Sequence, residues 1–240
     1  MIIFVGDIHG RQSALENIFD EAERLSATAI VQVGDFGIFW PEPASGLHDF
    51  FENRRSQIPF YFCDGNHENH TILDELHDMQ GVDVVTVAHN CHHVRRGSSV
   101  LLDDLTVLFM GGARSHVGKR DDPLVLNKNW WPREIPTLKE FNRFKRSFKS
   151  ANIVVTHDCP TSLMKDRKYY KEWSKNGVSQ FFDSVLKTSD VKPHQWFFGH
   201  HHVFDSWRVN DVDFYCCGKH GESWKFDKKT CIKFGSRAVS

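Results

Sequence analysis

Two hydrophobic periods alternate along the chain. IIFVG, Ile2 to Gly6, is a short apolar run rich in β-branched residues and closed by glycine, and it predicts a buried strand. RQSALENIFDEAERL follows with Leu15, Ile18, Phe19, Ala22 and Leu25 at helical spacing. ATAIVQVGDFG predicts a second strand, LHDFFENRRSQ a helix, IPFYFCDGNHE a third strand and TILDELHDM a short helix. Strand and helix in alternation predict a parallel sheet covered by helices. From Val82 to Gly111 the period changes. VVTVA, CHHVRR, SVLLDD and TVLFMGG predict short strands joined by turns, the pattern of a meander. TLKEFNRFKRSF restores a helix, NIVVTHD is another buried strand, and VSQFFDSVLK another helix. QWFFGHHH, VFDSWRV and DFYCC close the pattern as strands. No linker, internal repeat or low-complexity tract breaks it, so one domain over residues 1–240 is expected. The least regular stretch falls between sheet and helix and defines an insert at about residues 111–136. Loops of that length are usually functional or mobile.

Composition narrows the class. Hydrophobic residues are 40% of the chain, enough for a full core, and charged residues are 25%, ordinary for a soluble globular protein. A formal net charge of -1 gives no global pull toward nucleic acid or anionic membrane, although a local basic patch is compatible with it. No run reaches the roughly 18 apolar residues of a membrane helix, and the N-terminus lacks the basic start of a signal peptide. Six scattered cysteines without a Cys-x-x-Cys pattern read as reduced, mostly buried thiols, and a cytoplasmic protein is expected. Fifteen histidines are an excess, unevenly placed, and point to metal.

The strands end in one kind of chemistry. VGDIHG supplies Asp7 and His9, VGDFG supplies Asp35, CDGNHE supplies Asn66, His67 and Glu68, VVTHD supplies His157 and Asp158, and FFGHHH supplies His200, His201 and His202. In an open α/β sheet, ligands gather beyond the carboxyl ends of the strands. Strand parity points residues i and i+2 the same way, which pairs Asp7 with His9 and His200 with His202 and leaves His201 as a spacer pointing away. Carboxylate, imidazole and amide oxygen together suit borderline-hard divalent metals such as Mn, Fe, Zn, Co or Ni. Seven candidate ligands are too many for one ion and suit two, roughly 3.5 to 4 Å apart with one carboxylate between them. Each pair alone is commonly a surface or core feature; the set at successive strand ends is not.

The ordered blocks GDIHG, GDFG, GNHE, TH and GHHH, running from Gly6 to His202, resemble the calcineurin-like metallophosphoesterase superfamily. The resemblance implies a four-layer α/β/β/α sandwich of two mixed sheets flanked by helices. It implies one ion held by Asp7, His9 and His202, a second by Asn66, His157 and His200, and Asp35 bridging. It also implies His67 as the acid that protonates the leaving group, Asn66 as a further contact to substrate, and a hydroxide shared by the ions as nucleophile. Glu68 would support its loop. The chain departs from the serine/threonine-phosphatase branch: the Asp-Arg-Gly expected after the second block is replaced by GDFGIFWPEP, which removes a phosphate-binding arginine and a carboxylate that would orient His67. The segment GGARSHVGKRD…WWPRE resembles an insert of compact bacterial and phage phosphoesterases.

Within that insert Arg114 and Ser115 are candidate donors to phosphate oxygens, with His116, Lys119 and Arg120 nearby. Trp130 and Trp131 either stack on a substrate ring or pin the insert to the body. FNRFKRSFKS, with Arg143, Lys145, Arg146 and Lys149 around a phenylalanine stripe, and KDRKYYKEWSKNG are solvated basic faces or nucleic-acid contacts. A phosphomonoesterase acting on phosphoprotein, nucleotide or small phosphoester is the leading expectation, with manganese as the metal. A phosphodiesterase, with nucleic acid a less favoured partner, is the alternative, and a metal-bound scaffold without turnover the third.

Overall fold

The apolar runs assemble into two sheets, as a computed structural model shows for residues 1–40, 46–115, 124–165, 176–219, 222–227 and 230–234. In the first sheet β1 (Ile2–Val5), β2 (Ala29–Gln32), β3 (Phe60–Phe62) and β5 (Cys91–Val94) run parallel. β4 (Val84–Ala88) closes one edge antiparallel to β5, and β12 (Ser223–Asp227) and β13 (Thr230–Phe234) extend the other edge antiparallel to β1. The order is β13-β12-β1-β2-β3-β5-β4. The second sheet contains β6 (Ser99–Leu102), β7 (Leu105–Met110), β8 (Ile153–Thr156), β9 (Gln195–Phe198), β10 (Phe204–Val209) and β11 (Val212–Cys217), in the order β10-β11-β9-β8-β7-β6 with four parallel central strands.

Central strands of both sheets, such as β1, β2 and β8, are buried on both faces, since successive side chains in a strand point to opposite sides and each side meets another layer. Ile2 and Phe4 of β1 meet Val107, Phe109, Val155 and Phe197 of the second sheet in the central core, where Phe4 stacks on Phe197 at 3.7 Å. Ile3 and Val5 face outward onto Leu15, Ile18 and Phe19 of α1 (Gln12–Arg24), and α2 (Leu47–Arg54) and α3 (His70–Gln80) complete that layer. On the far side Val154, Trp196 and Phe198 pack against Phe144 of α4 (Leu138–Ser147), Leu163 of α5 (Thr161–Lys165) and Phe182 of α6 (Gly177–Thr188). The layers are therefore α/β/β/α, as the family resemblance implies.

The expected meander is not formed. β4 and β5 are a hairpin in the first sheet and β6 and β7 a hairpin in the second, and the chain crosses between sheets at the turn after Val94. Two hairpins in one sheet and two in different sheets carry the same alternation in sequence, so period alone could not separate them. The phenylalanine stripe of α4 is core, as Phe144 and Phe148 are fully buried, and Arg143 on its basic face pairs with Asp83 at 3.0 Å. Cys63, Cys91, Cys159, Cys216 and Cys217 are buried free thiols. His116, Lys119 and Arg120, and most of KDRKYYKEWSKNG, lie outside the described residues. Among the described residues, no helix is long and apolar enough to cross a membrane.

Candidate metal centre

The ligand-type residues stand in the turns just past β1, β2, β3, β8 and β9, at one rim of the sandwich. Four of them have left-handed backbone: His9 (φ 50°), Asp35 (φ 56°), His200 (φ 64°) and His202 (φ 52°). Such conformations cost non-glycine residues on the order of 1 kcal/mol each and concentrate at functional sites. They also replace strand parity as the reason these side chains converge. The chain has left the pleat by Asp7 and by His200, so the left-handed turns set their directions. Two glycines permit the close packing. A Cβ on Gly65 would strike the Asp35 carboxylate, and one on Gly199 would strike that of Asp7.

Asp7, His9 and His202 present atoms within 4.8 Å of one another, and so do Asp7, Asp35 and His157. His202 Nε2 lies 3.1 Å from both Asp7 Oδ2 and His9 Nε2. Asp35 faces two ways: Oδ1 is 3.3 Å from His157 Nε2, and Oδ2 is 3.9 Å from His9 Nε2. Asn66 Oδ1 sits 3.2 Å from His157 Nε2, and the His200 ring packs edge-on at 5.1 Å from that of His157. His157 and Asn66 are buried while His202 is half exposed, so the rim opens to solvent on the Asp7–His9–His202 side.

Hydrogen bonds fix how these groups aim. His157 Nδ1 donates to the Val33 carbonyl at 2.9 Å, which turns Nε2 toward the centre. The His200 backbone N–H donates to Asp7, and the His67 N–H to Asp35 Oδ1 at 2.7 Å. Burial pushes the Asp35 carboxyl upward, but the imidazoles of His157, His67 and His9 outweigh it and hold it well below the usual carboxylate range. Burial works against a charged His157, yet Asp35 beside it pushes its pKa up to about 10. Two buried acids and four clustered imidazoles therefore gather at one rim, a donor mix that fits divalent cations of intermediate hardness.

Around the cluster stand supporting residues, of which Gln32 is not flagged by the sequence motifs and Glu68 holds a loop as expected. Gln32, fully buried, donates to the Gly6 carbonyl at 3.2 Å and accepts from Gly34 N–H at 2.9 Å, tying the ends of β1 and β2 together. Glu68 accepts from the N–H groups of Phe36 and Gly37 and so clamps the loop carrying Asp35. Asp64, next to the GNHE block, makes a buried ion pair with Arg96. His201 does face away from the cluster, but it is more than a spacer. Its Nε2 donates to Asp158 Oδ1 at 3.1 Å, strapping the β9 loop to the β8 loop. Asp158 and His201 also gather with Cys159, yet the Cys159 N–H and Asn176 Nδ2 occupy the same carboxylate, and burial pushes the Cys159 thiol well up, which describes a hydrogen-bonded knot.

His67 is half-buried beside the cluster, its ring 5.6 Å from His9 and 5.0 Å from Trp40. Trp40, from the segment that replaces Asp-Arg-Gly, thus flanks this histidine. Arg114 is exposed. Ser115 is not a free donor to phosphate: it is buried, and its hydroxyl donates to Glu134 at 2.6 Å while accepting from Asn66 Nδ2 at 3.1 Å. Trp131 pins the insert to the body, buried and donating to Thr71 Oγ1 at 3.1 Å, and the Trp130 side chain hydrogen-bonds to Glu134. Gln32 carries no motif signal, and although Glu134 ends the WWPRE segment, its contact with Ser115 is set only by the fold.

Comparison with solved structures finds the same fold at low sequence identity. A protein of Thermus thermophilus is 16% identical with a TM-score of 0.56, the match covering 92% of this chain and 90% of that one. The inner-membrane-complex anchor GAP50 of Plasmodium is 15% identical with a TM-score of 0.56, covering 98% of this chain and 77% of that one. A Staphylococcus aureus protein carrying a provisional 5'-nucleotidase label is 14% identical with a TM-score of 0.53, covering 100% of this chain and 55% of that one. Comparison with curated proteins returns no match. The calcineurin-like phosphoesterase family model matches residues 1–204, the span that carries every residue of the rim described above. The chain thus belongs to the calcineurin-like phosphoesterase family and is a metal-dependent hydrolase acting on phosphate ester bonds.

Proposed function

We propose that this chain hydrolyses phosphomonoesters at a pair of divalent cations, manganese being the first candidate and Fe, Zn, Ni or Co the others. Asp7, His9 and His202 would hold one ion, Asn66, His157 and His200 the second, and Asp35 would be shared. The observation that carries this reading is the Asp35 carboxylate, whose two oxygens face histidines of different groups, His157 at 3.3 Å and His9 at 3.9 Å. When bound, such a pair supplies Lewis acidity toward phosphate oxygens and makes water nucleophilic near neutral pH.

The chain's own residues supply the rest. His67 stands at the solvent side of the cluster, ring to ring with His9, and as imidazolium would hand a proton to the departing oxygen of the ester. Trp40 packs against the same ring, centroid to centroid at 5.0 Å. One Asn66 amide hydrogen is committed to Ser115, and the second would meet a phosphate oxygen as charge develops there. Arg114, one residue from Ser115 and exposed, would reach the substrate from solvent. Phosphoprotein, nucleotide and small phosphoester all remain in the substrate class. The reduced thiols suit a reducing compartment such as the cytoplasm.

The test is hydrolysis of p-nitrophenyl phosphate with Mn2+, Fe2+, Zn2+, Ni2+ or Co2+ by the wild-type chain and by Asp35→Ala. Turnover in the first and none in the second is expected. Faster hydrolysis of bis-p-nitrophenyl phosphate would turn the reading to a phosphodiesterase, and no turnover with any metal would remove it.

A further inference from the structure

We infer that the insert controls the second ion site through a two-residue relay, with Glu134 and Ser115 acting as positioning residues for Asn66. The inference rests on the metal-centre reading above.

Asn66 is ambiguous as a ligand, because its carboxamide can present oxygen or nitrogen to a cation and only the oxygen binds. Something must fix which way round it lies. Asn66 Nδ2 is 3.1 Å from Ser115 Oγ, and Oδ1 is turned to His157. Ser115 in turn meets Glu134 twice, through its N–H to Oε1 at 2.9 Å and its hydroxyl to Oε2 at 2.6 Å. A hydroxyl has one hydrogen, and an ionised carboxylate only accepts. The Ser115 hydrogen therefore points at Glu134, and only lone pairs are left facing Asn66. Those lone pairs accept from Nδ2 and repel Oδ1. Proton order in the relay thus forces the amide oxygen toward the ions. All three residues are buried, where a misoriented amide would leave polar groups unpaired away from water.

Glu134 can hold this post because the return limb of the insert is itself fixed. Residues Pro132–Glu134 form a 3-10 turn closed by Glu134 N–H to the Trp131 carbonyl at 3.0 Å. The buried Arg96 guanidinium donates to the Arg133 carbonyl at 2.8 Å, and Arg133 forks onto Asp74 of α3. The outgoing limb passes close by. Gly112 has φ 87°, and a Cβ there would meet the Glu134 carbonyl at 2.5 Å. The two ends of the insert are joined at the point where it touches the metal ligand.

The relay is tested by calorimetric titration of Mn2+ into the metal-free wild type, Ser115→Ala and Glu134→Gln. Thermal melting of each protein and electron paramagnetic resonance of the loaded one accompany it. Wild type should take up two ions in a coupled pair. In both variants one of the two steps should weaken about 10- to 100-fold, the range seen when second-layer partners of a metal ligand are removed, while the other step stays as in wild type. At limiting Mn2+ the resonance signal should become that of isolated ions. Folded variants that bind both ions as tightly as wild type would overturn the relay while leaving the metal centre standing. A wild type that binds no ion pair would overturn both. If Ser115→Ala fails to fold, the near-isosteric Glu134→Gln decides.

Discussion

His67 and Asp35 are neighbours with separable duties. The His67 backbone N–H holds Asp35 Oδ1 at 2.7 Å, while its ring lies out toward His9 and Trp40. Replacing the ring leaves the backbone bond intact. His67→Ala should therefore keep both ions by calorimetry while kcat on p-nitrophenyl phosphate falls about 100-fold or more, the usual worth of a positioned general acid. Equal loss of metal and turnover would mean that the ring is a ligand. The ligand types at this rim were legible from the motifs, because Asp, His and Asn beside glycine stand out at strand ends. How they aim was not legible. His9, Asp35, His200 and His202 take left-handed backbone, which no strand-parity rule gives.

Helices and strands bring these turns together, and some contacts joining them are electrostatic. Glu21 on α1 is paired with Arg24 one turn on and with Lys225 on β12, across 204 positions of sequence. Its hydrogen bond from Arg24 is the largest effect lowering its carboxyl, with Lys225 adding to it against the opposing effect of burial, and the pKa falls to about 2. A depressed carboxyl contributes stability that is fully present above its ordinary value near 4.5 and is lost as pH falls through about 2. Solvent screening around the exposed Arg24 reduces the effect to about 1 kcal/mol. Glu21→Gln should thus lower urea stability by about that much near neutral pH, and the gap to wild type should close as the two are compared at progressively lower pH. A gap independent of pH would show that the pair contributes through packing alone. The i,i+3 half of this arrangement is visible in sequence, whereas Lys225 is placed only by the antiparallel pairing of β12 with β1.

Asp7, Asp35 and Asn66 follow strands of the first sheet, and His157, His200 and His202 follow strands of the second. Each proposed ion therefore takes ligands from both halves of the sandwich, and metal binding is linked to the docking of the sheets. Mn2+ at about 100 times its dissociation constant should add about 2.7 kcal/mol to unfolding free energy, and a chelator should remove it; an unchanged melting temperature would break the linkage. The sequence by itself determined the helix–strand alternation, the double-sided burial of the strands and the chemical identity of the rim, since these depend on period and residue type. Tertiary structure decided the assignment of the two hairpins to different sheets. It turned Ser115 from an expected phosphate donor into a link between Glu134 and Asn66, and it made Asp35 face two histidine groups at once. The physical reason is common to all three. Each depends on which distant segments share a layer or a turn, and hydrogen-bond direction and backbone handedness are settled only once those segments are packed against one another.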